Sequence, residues 1–154
     1  MSDDIWILGI HMTKFGKYPD KDTVDLASQA ALAALADGGV TMKDMGVLAA
    51  GCLMASNAGI GQQLQKQIGQ TGIPVTNVAN ACATGATAFR DAWMTIKAGV
   101  YDTVLAVGVE QIGGIVGAHP RLEDGEVLGI VLDPRQRHLV RTPRVRDLHP
   151  VDLP

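Results

Sequence analysis

Cys82 is the side chain in this sequence best placed for covalent chemistry. It lies in Asn77-Val-Ala-Asn-Ala-Cys82-Ala-Thr-Gly85-Ala-Thr-Ala88. An apolar, strand-like stretch, Ile73 to Val78, leads into it, and a small-residue helical stretch, Ala83 to Ala98, leads away. A thiol at the junction of a strand and a helix N-terminus lies in the positive end of the helix dipole, a field that favours the nucleophilic thiolate. The small neighbours leave room for a substrate carbonyl and for backbone N–H groups to point at an oxyanion. On this reading Cys82 is the nucleophile, the N–H groups of Cys82 and Ala83 line the oxyanion position, and Gly85 permits close backbone approach. The competing reading is an inert core thiol, the commonest role of a free cysteine. Cys52, in Ala49-Ala-Gly-Cys52-Leu-Met54, sits inside an apolar run and reads as core. Glu110 closes another apolar run and reads as a structural turn residue rather than a catalytic carboxylate. The sequence shows no metal-ligand spacing and no phosphate loop.

The elements that must position Cys82 follow from periodicity and punctuation. Ile5 to Ile10 is a nearly continuous apolar run, as expected of a strand buried on both faces. Residues 13–21 form a loop. Asp22 and Thr23 offer an N-cap for a helix to about Ala36, stopped by Gly38 and Gly39. That helix is apolar or Ala nearly all round, which predicts burial between layers. Val47 to Met54 is the second expected strand, Gly61 to Gly69 a short helix with Leu64 and Ile68 on one face, and Ile73 to Val78 the third strand. The helix after Cys82 carries Ala88, Ala92 and Ile96 on one stripe, with Phe89 and Trp93 beside it, and ends at Gly99. Thr103 to Val109 is the fourth strand. Strands alternating with helices predict an α/β fold with a mostly parallel sheet.

Length and composition set bounds. The chain of 154 residues is long enough for one domain with a real core. Its formal net charge of −3 argues against a nucleic-acid-binding surface. No apolar run reaches the length of a membrane span. Met1-Ser-Asp-Asp lacks the basic start of a signal peptide, and two cysteines make no disulfide framework, so a cytoplasmic location is expected.

Three segments, in order, resemble the thiolase superfamily. Val75 to Ala88 is similar to its nucleophile motif, Ile7-Leu-Gly-Ile-His-Met-Thr-Lys-Phe-Gly16 to its first strand and following loop, and Tyr101-Asp-Thr-Val-Leu-Ala-Val-Gly-Val-Glu110 to the strand after the nucleophile helix. The sterol-carrier-protein-X, or lipid-transfer-protein, branch is the nearest in pattern. The resemblance implies a βαβαβαββ half, layered around its sheet, and a truncated chain that supplies the N-terminal half only. It implies an acyl-CoA acyltransferase of the acetyl-CoA acetyltransferase or 3-ketoacyl-CoA thiolase type, acting through an acyl group on Cys82. Coenzyme A is then a co-substrate, with no bound cofactor. A histidine and a second cysteine or its equivalent come from the other half in that family. It also implies a homo-oligomer paired through Ile73 to Val78. Two alternatives stay open: a lipid-transfer-type aldolase (lyase) acting on a steroid- or acyl-CoA with a small OB-fold partner, and an inactive half that only associates with a partner.

The sequence departs from that pattern in two places. The Asn that commonly stands three positions before the family's Cys is Ala79 here, with Asn77 and Asn80 on either side. After Gly117 the match stops. One arginine, Arg90, occurs in the first 120 residues, whereas Arg121, Arg135, Arg137, Arg141, Arg144 and Arg146 crowd the last 34. Pro134, Pro143, Pro150, His138 and His149 are scattered among them without helical or strand period. Two regions are therefore expected: a partial thiolase-like domain over residues 1–117 and an Arg-rich tail over residues 118–154. Such a tail reads as a disordered solvated segment, as a basic arm for CoA phosphates or an acidic partner, or as a frame-shifted continuation of a longer gene. His119, His138 and His149 match none of the family's histidine motifs, and His11 is expected in the loop after the first strand.

Overall fold

The computed structural model describes residues 4–111 and 128–133. Five strands form one mixed sheet: β1 (Trp6–Met12), β2 (Val47–Gly51), β3 (Val75–Val78), β4 (Val104–Gly108) and β5 (Leu128–Asp133). Three helices connect them: α1 (Thr23–Asp37), α2 (Ile60–Ile68) and α3 (Thr84–Lys97). The element order is thus βαβαβαββ, as the resemblance implies. The strands lie in the order β1-β5-β4-β2-β3. β2 pairs in parallel with β3 and β4, while β5 is antiparallel to both its neighbours, β4 and β1. Four strands therefore run one way and β5 the other.

All five residues of β2 are buried, because helices cover both faces of the sheet. Leu48, Ala50, Leu105, Val107 and Val131 point to the side of α1 and α2. Val47, Ala49, Val104, Ala106, Ile130 and Leu132 point to the side of α3. This period of two over continuous apolar runs is what a strand sandwiched between helical layers requires.

Each helix is set by local chemistry. Asp22 caps α1: the Asp25 N–H donates to Asp22 Oδ1 at 2.8 Å, and the Asp22 N–H to Asp25 Oδ2 at 3.2 Å. The Asp25 carboxyl is held below its usual range, chiefly by the Gln67 side chain, which donates to it at 2.9 Å. Leu26, Ala27, Ala30, Ala31, Ala34 and Leu35 bury one face of α1, but Leu32 on the opposite face is 50% exposed. The near-uniform apolarity that predicted all-round burial is therefore only half used in this chain. α2 buries Ile60, Leu64 and Ile68, and α3 buries Ala88, Ala92 and Ile96, both at four-residue spacing.

Two further expectations are corrected. His11 is not in a loop: β1 continues through Met12, and His11 pairs with Gly129. The sheet also does not end at the composition boundary. β5 falls inside the segment expected to be a separate tail, and its Ile130, Val131 and Leu132 are buried in the centre of the sheet between β1 and β4. A short apolar run gains enough from burial on both faces to join a sheet whatever its flanks contain. The tail's arginines and the histidines at 119, 138 and 149 lie outside the described residues.

Candidate active site

The parallel strands β2, β3 and β4 end at the same edge of the sheet, and α3 begins there. In open α/β sheets this carboxyl edge is where ligands bind. Cys82 is exposed on the turn between β3 and α3, two residues before the helix. Just before it stands Ala81, whose φ of 45° is left-handed, a conformation that residues with a Cβ seldom adopt.

Hydrogen bonds surround that turn. The Asn80 N–H donates to Thr84 Oγ1 at 2.7 Å, and the Thr84 hydroxyl donates to the Ala81 carbonyl at 2.7 Å. The Asn80 side-chain amide donates to Thr87 Oγ1 at 3.0 Å, and the Thr87 hydroxyl to the Ala83 carbonyl at 3.0 Å. The Ala83 N–H donates to the Asn80 carbonyl at 2.9 Å. Of the two N–H groups expected at the oxyanion position, that of Ala83 is therefore engaged inside the turn. Asn77 serves a different element: its Oδ1 accepts from the Gly61 N–H at 2.8 Å, near the start of α2, where no side-chain cap is present.

The turn is seated on bare backbone. Gly51 and Gly108 are register partners at the ends of β2 and β4. A Cβ on Gly51 would lie 2.8 Å from the Thr84 carbonyl oxygen, and one on Gly108 would lie 2.8 Å from the Gly85 Cα. The close approach at Gly85 is thus to β4, and it lets the first turn of α3 rest directly on the sheet.

Cys52 and Glu110 meet at the same edge, in a setting opposite to that of Cys82. Cys52 is fully buried, and its Sγ lies 3.7 and 3.8 Å from the two Glu110 carboxylate oxygens. The Ala55 N–H donates to the sulfur at 3.3 Å. Burial pushes the Cys52 thiol above its usual range, and the negative Glu110 adds to the rise. Glu110 also accepts from the Leu53 N–H at 2.8 Å, tying the end of β4 to the loop after β2. Cys52 is thus buried, as its apolar run predicts, whereas Glu110, expected only as a turn residue, binds the Leu53 N–H and faces the Cys52 sulfur.

The motif's spacing leads to Cys82, but the roles of Thr84, Asn80, Gly51 and Gly108 become visible only in three dimensions. The available signal for the glycines was their position inside two apolar runs, Val47 to Met54 and Thr103 to Val109. Among the described residues no cluster of three metal-ligating side chains occurs, and no helix is long and apolar enough to cross a membrane.

A mixed α/β sheet in the order 1-5-4-2-3, with an exposed cysteine ahead of α3, places the chain in a recognisable class. Residues 5–129 match the family model described as thiolase, N-terminal domain. The chain belongs to the thiolase family. It is 32% identical over 123 residues to an acetyl-CoA acetyltransferase of Methanothermobacter thermautotrophicus, covering 77% of this chain and 32% of that one. It is 35% identical over 111 residues to human sterol carrier protein 2, covering 70% and 20% respectively. The chain thus spans a third or less of the length of these relatives. In fold it is similar to 3-oxoacyl-[acyl-carrier-protein] synthase III from Aquifex aeolicus, with a TM-score of 0.72 at 16% identity, covering 86% of this chain and 55% of that one. Human mitochondrial 3-ketoacyl-CoA thiolase in complex with CoA superposes with a TM-score of 0.59 at 24% identity, covering 69% and 29%.

Proposed function

We propose that Cys82 is the nucleophile of a thiolase-type acyl transfer from an acyl-CoA thioester. The observation that carries this reading is the exposed Cys82 thiol, presented on a hydrogen-bonded turn at the carboxyl edge of the sheet, in a chain of the thiolase family. In the proposed step Sγ attacks the thioester carbonyl and a new carbon–sulfur bond forms. The tetrahedral oxyanion collapses, the bond to the CoA sulfur breaks, and that sulfur leaves with the proton the thiol has given up. The acyl group remains on Cys82 as a thioester. With the Ala83 N–H engaged, the Cys82 N–H is the donor of that pair left for the oxyanion. Intact-mass spectrometry after incubation with acetyl-CoA or acetoacetyl-CoA tests the reading. An acetyl adduct that vanishes in Cys82→Ser supports it. A folded chain that takes no adduct overturns it for this chain.

A second reading concerns association. β3 is an outer strand of the sheet, and Val75, Thr76, Asn77 and Val78 are all only half-buried. An outer strand presents unpaired N–H and C=O groups to another strand, which supports pairing of two copies of the chain through Ile73 to Val78. Light scattering that finds a monomer across the micromolar range would count against it.

A further inference from the structure

We propose that Thr84 is a positioning residue for Cys82, its hydroxyl clamping Ala81 in the left-handed conformation that presents the thiol. The inference rests on the reading of Cys82 as nucleophile and adds to it the part that aims the sulfur.

Alanine at φ 45° has no polar side chain with which to hold itself there, so the conformation must be imposed from outside. Thr84 Oγ1 touches both sides of the strained residue, alongside the backbone bonds from the Ala83 N–H to the Asn80 carbonyl and from the Thr84 N–H to the Ala81 carbonyl. It accepts the N–H of Asn80 before Ala81 and donates to the carbonyl of Ala81 itself, each at 2.7 Å. Thr84 is 6% exposed, so water competes little for either bond. Its place is fixed in turn by β2: a Cβ on Gly51 would lie 3.0 Å from Thr84 Cγ2. The rigidity of the central sheet thus passes through Thr84 to the backbone just before Cys82. Strain held by a buried side chain beside a candidate nucleophile is a means of preorganisation.

The test compares the native chain with Thr84→Ser, Thr84→Val and the double variant Ala81→Gly/Thr84→Val. Peptide-resolved mass spectrometry reads two rates at Cys82. Acylation by acetoacetyl-CoA requires an aimed sulfur, whereas alkylation by iodoacetamide requires only an exposed one. Buried Cys52 reports unfolding in the same sample. Thr84→Val is expected to slow acylation roughly tenfold to a hundredfold, the effect of misplacing a reacting atom by about an ångström, while Cys82 alkylation stays within about twofold. Cys52 stays unlabelled. Thr84→Ser retains the native acylation rate. In the double variant the Ala81→Gly change recovers part of the loss, because glycine reaches positive φ without help.

Acylation by Thr84→Val at the native rate overturns the proposal. Failure of serine to rescue overturns it too, by assigning the effect to the methyl packed on Gly51. Labelling of Cys52 in Thr84→Val would make Thr84 a core strut, with the same consequence. A native chain that takes no acyl group defeats the nucleophile reading alone, and the clamp is then read from melting temperatures. Ala81→Gly should raise the melting temperature in the native background, where strain is held, and raise it less once Thr84→Val lets Ala81 relax. Equal shifts in the two backgrounds overturn the clamp.

Discussion

Two cysteines in one chain illustrate how environment divides chemistry from packing. Cys82 is exposed on a turn, and Cys52 is fully buried against the Glu110 carboxylate. The raised Cys52 thiol has a consequence for stability. A group whose folded pKa lies above its unfolded value stabilises the fold fully below the unfolded value and loses that contribution as pH rises toward the folded one. The native protein should therefore lose stability above pH of about 8.5, the ordinary thiol value, by at most about 1.4 kcal/mol per pH unit from this group. Cys52→Ala should remove that component, so that melting temperatures of the two proteins from pH 7 to 10.5 draw together as pH rises. A constant difference between them would be the contrary result. The types and places of both cysteines were legible in the sequence, since each is set by a short run of neighbours. The turn that holds Cys82 was not, because nothing in the letter Ala at position 81 announces a positive φ.

At the scale of elements, the helices and the first four strands were legible from their apolar periodicity, the helices also from the glycines that follow them, and α1 also from the capping chemistry at its start. The sequence offers both Asp22 and Thr23 as the cap of α1; the reciprocal bonds with Asp25 make it Asp22, and Thr23 is the first helical residue. Asp22→Ala should cost about 1 kcal/mol, measured by urea denaturation. What periodicity cannot show is how closely elements approach. α3 rests on Gly51 and Gly108, and α1 crosses so near Gly9 and Gly129 that a Cβ at either would meet its main chain. Gly108→Ala forces a carbon to 2.8 Å from the Gly85 Cα, a contact between backbones that no rotamer can relieve. Overpacking of this kind costs typically about 1–3 kcal/mol. Because the first turn of α3 must lift, the variant should also lose acylation of Cys82 by more than its lost stability explains. Equal acylation at temperatures where both proteins are fully folded would contradict that.

For the molecule as a whole, the decisive feature is β5, which sequence reasoning missed. The abrupt change to arginine and proline after position 117 outweighed the short apolar run Val127-Leu-Gly-Ile-Val-Leu132, although burial depends on that run and not on its neighbours. β5 is the centre of one half of the sheet: it joins β1 to β4, and without it β1 has no strand partner among the described residues. Ile130, Val131 and Leu132 contribute about 1.5–3 kcal/mol each on burial, a sum comparable with the whole net stability of about 5–15 kcal/mol of an ordinary domain. A chain cut after residue 117 should therefore fail to unfold cooperatively in urea. A gentler variant makes the same point without removing any chain. Gly129→Ala places a Cβ 2.7 Å from the Ala30 carbonyl oxygen of α1, so it should destabilise the protein by about 1–3 kcal/mol if β5 is in the sheet. If residues 128–133 belonged to a detached tail, the same substitution would leave the urea midpoint unchanged, and the fold would have to hold without its fifth strand.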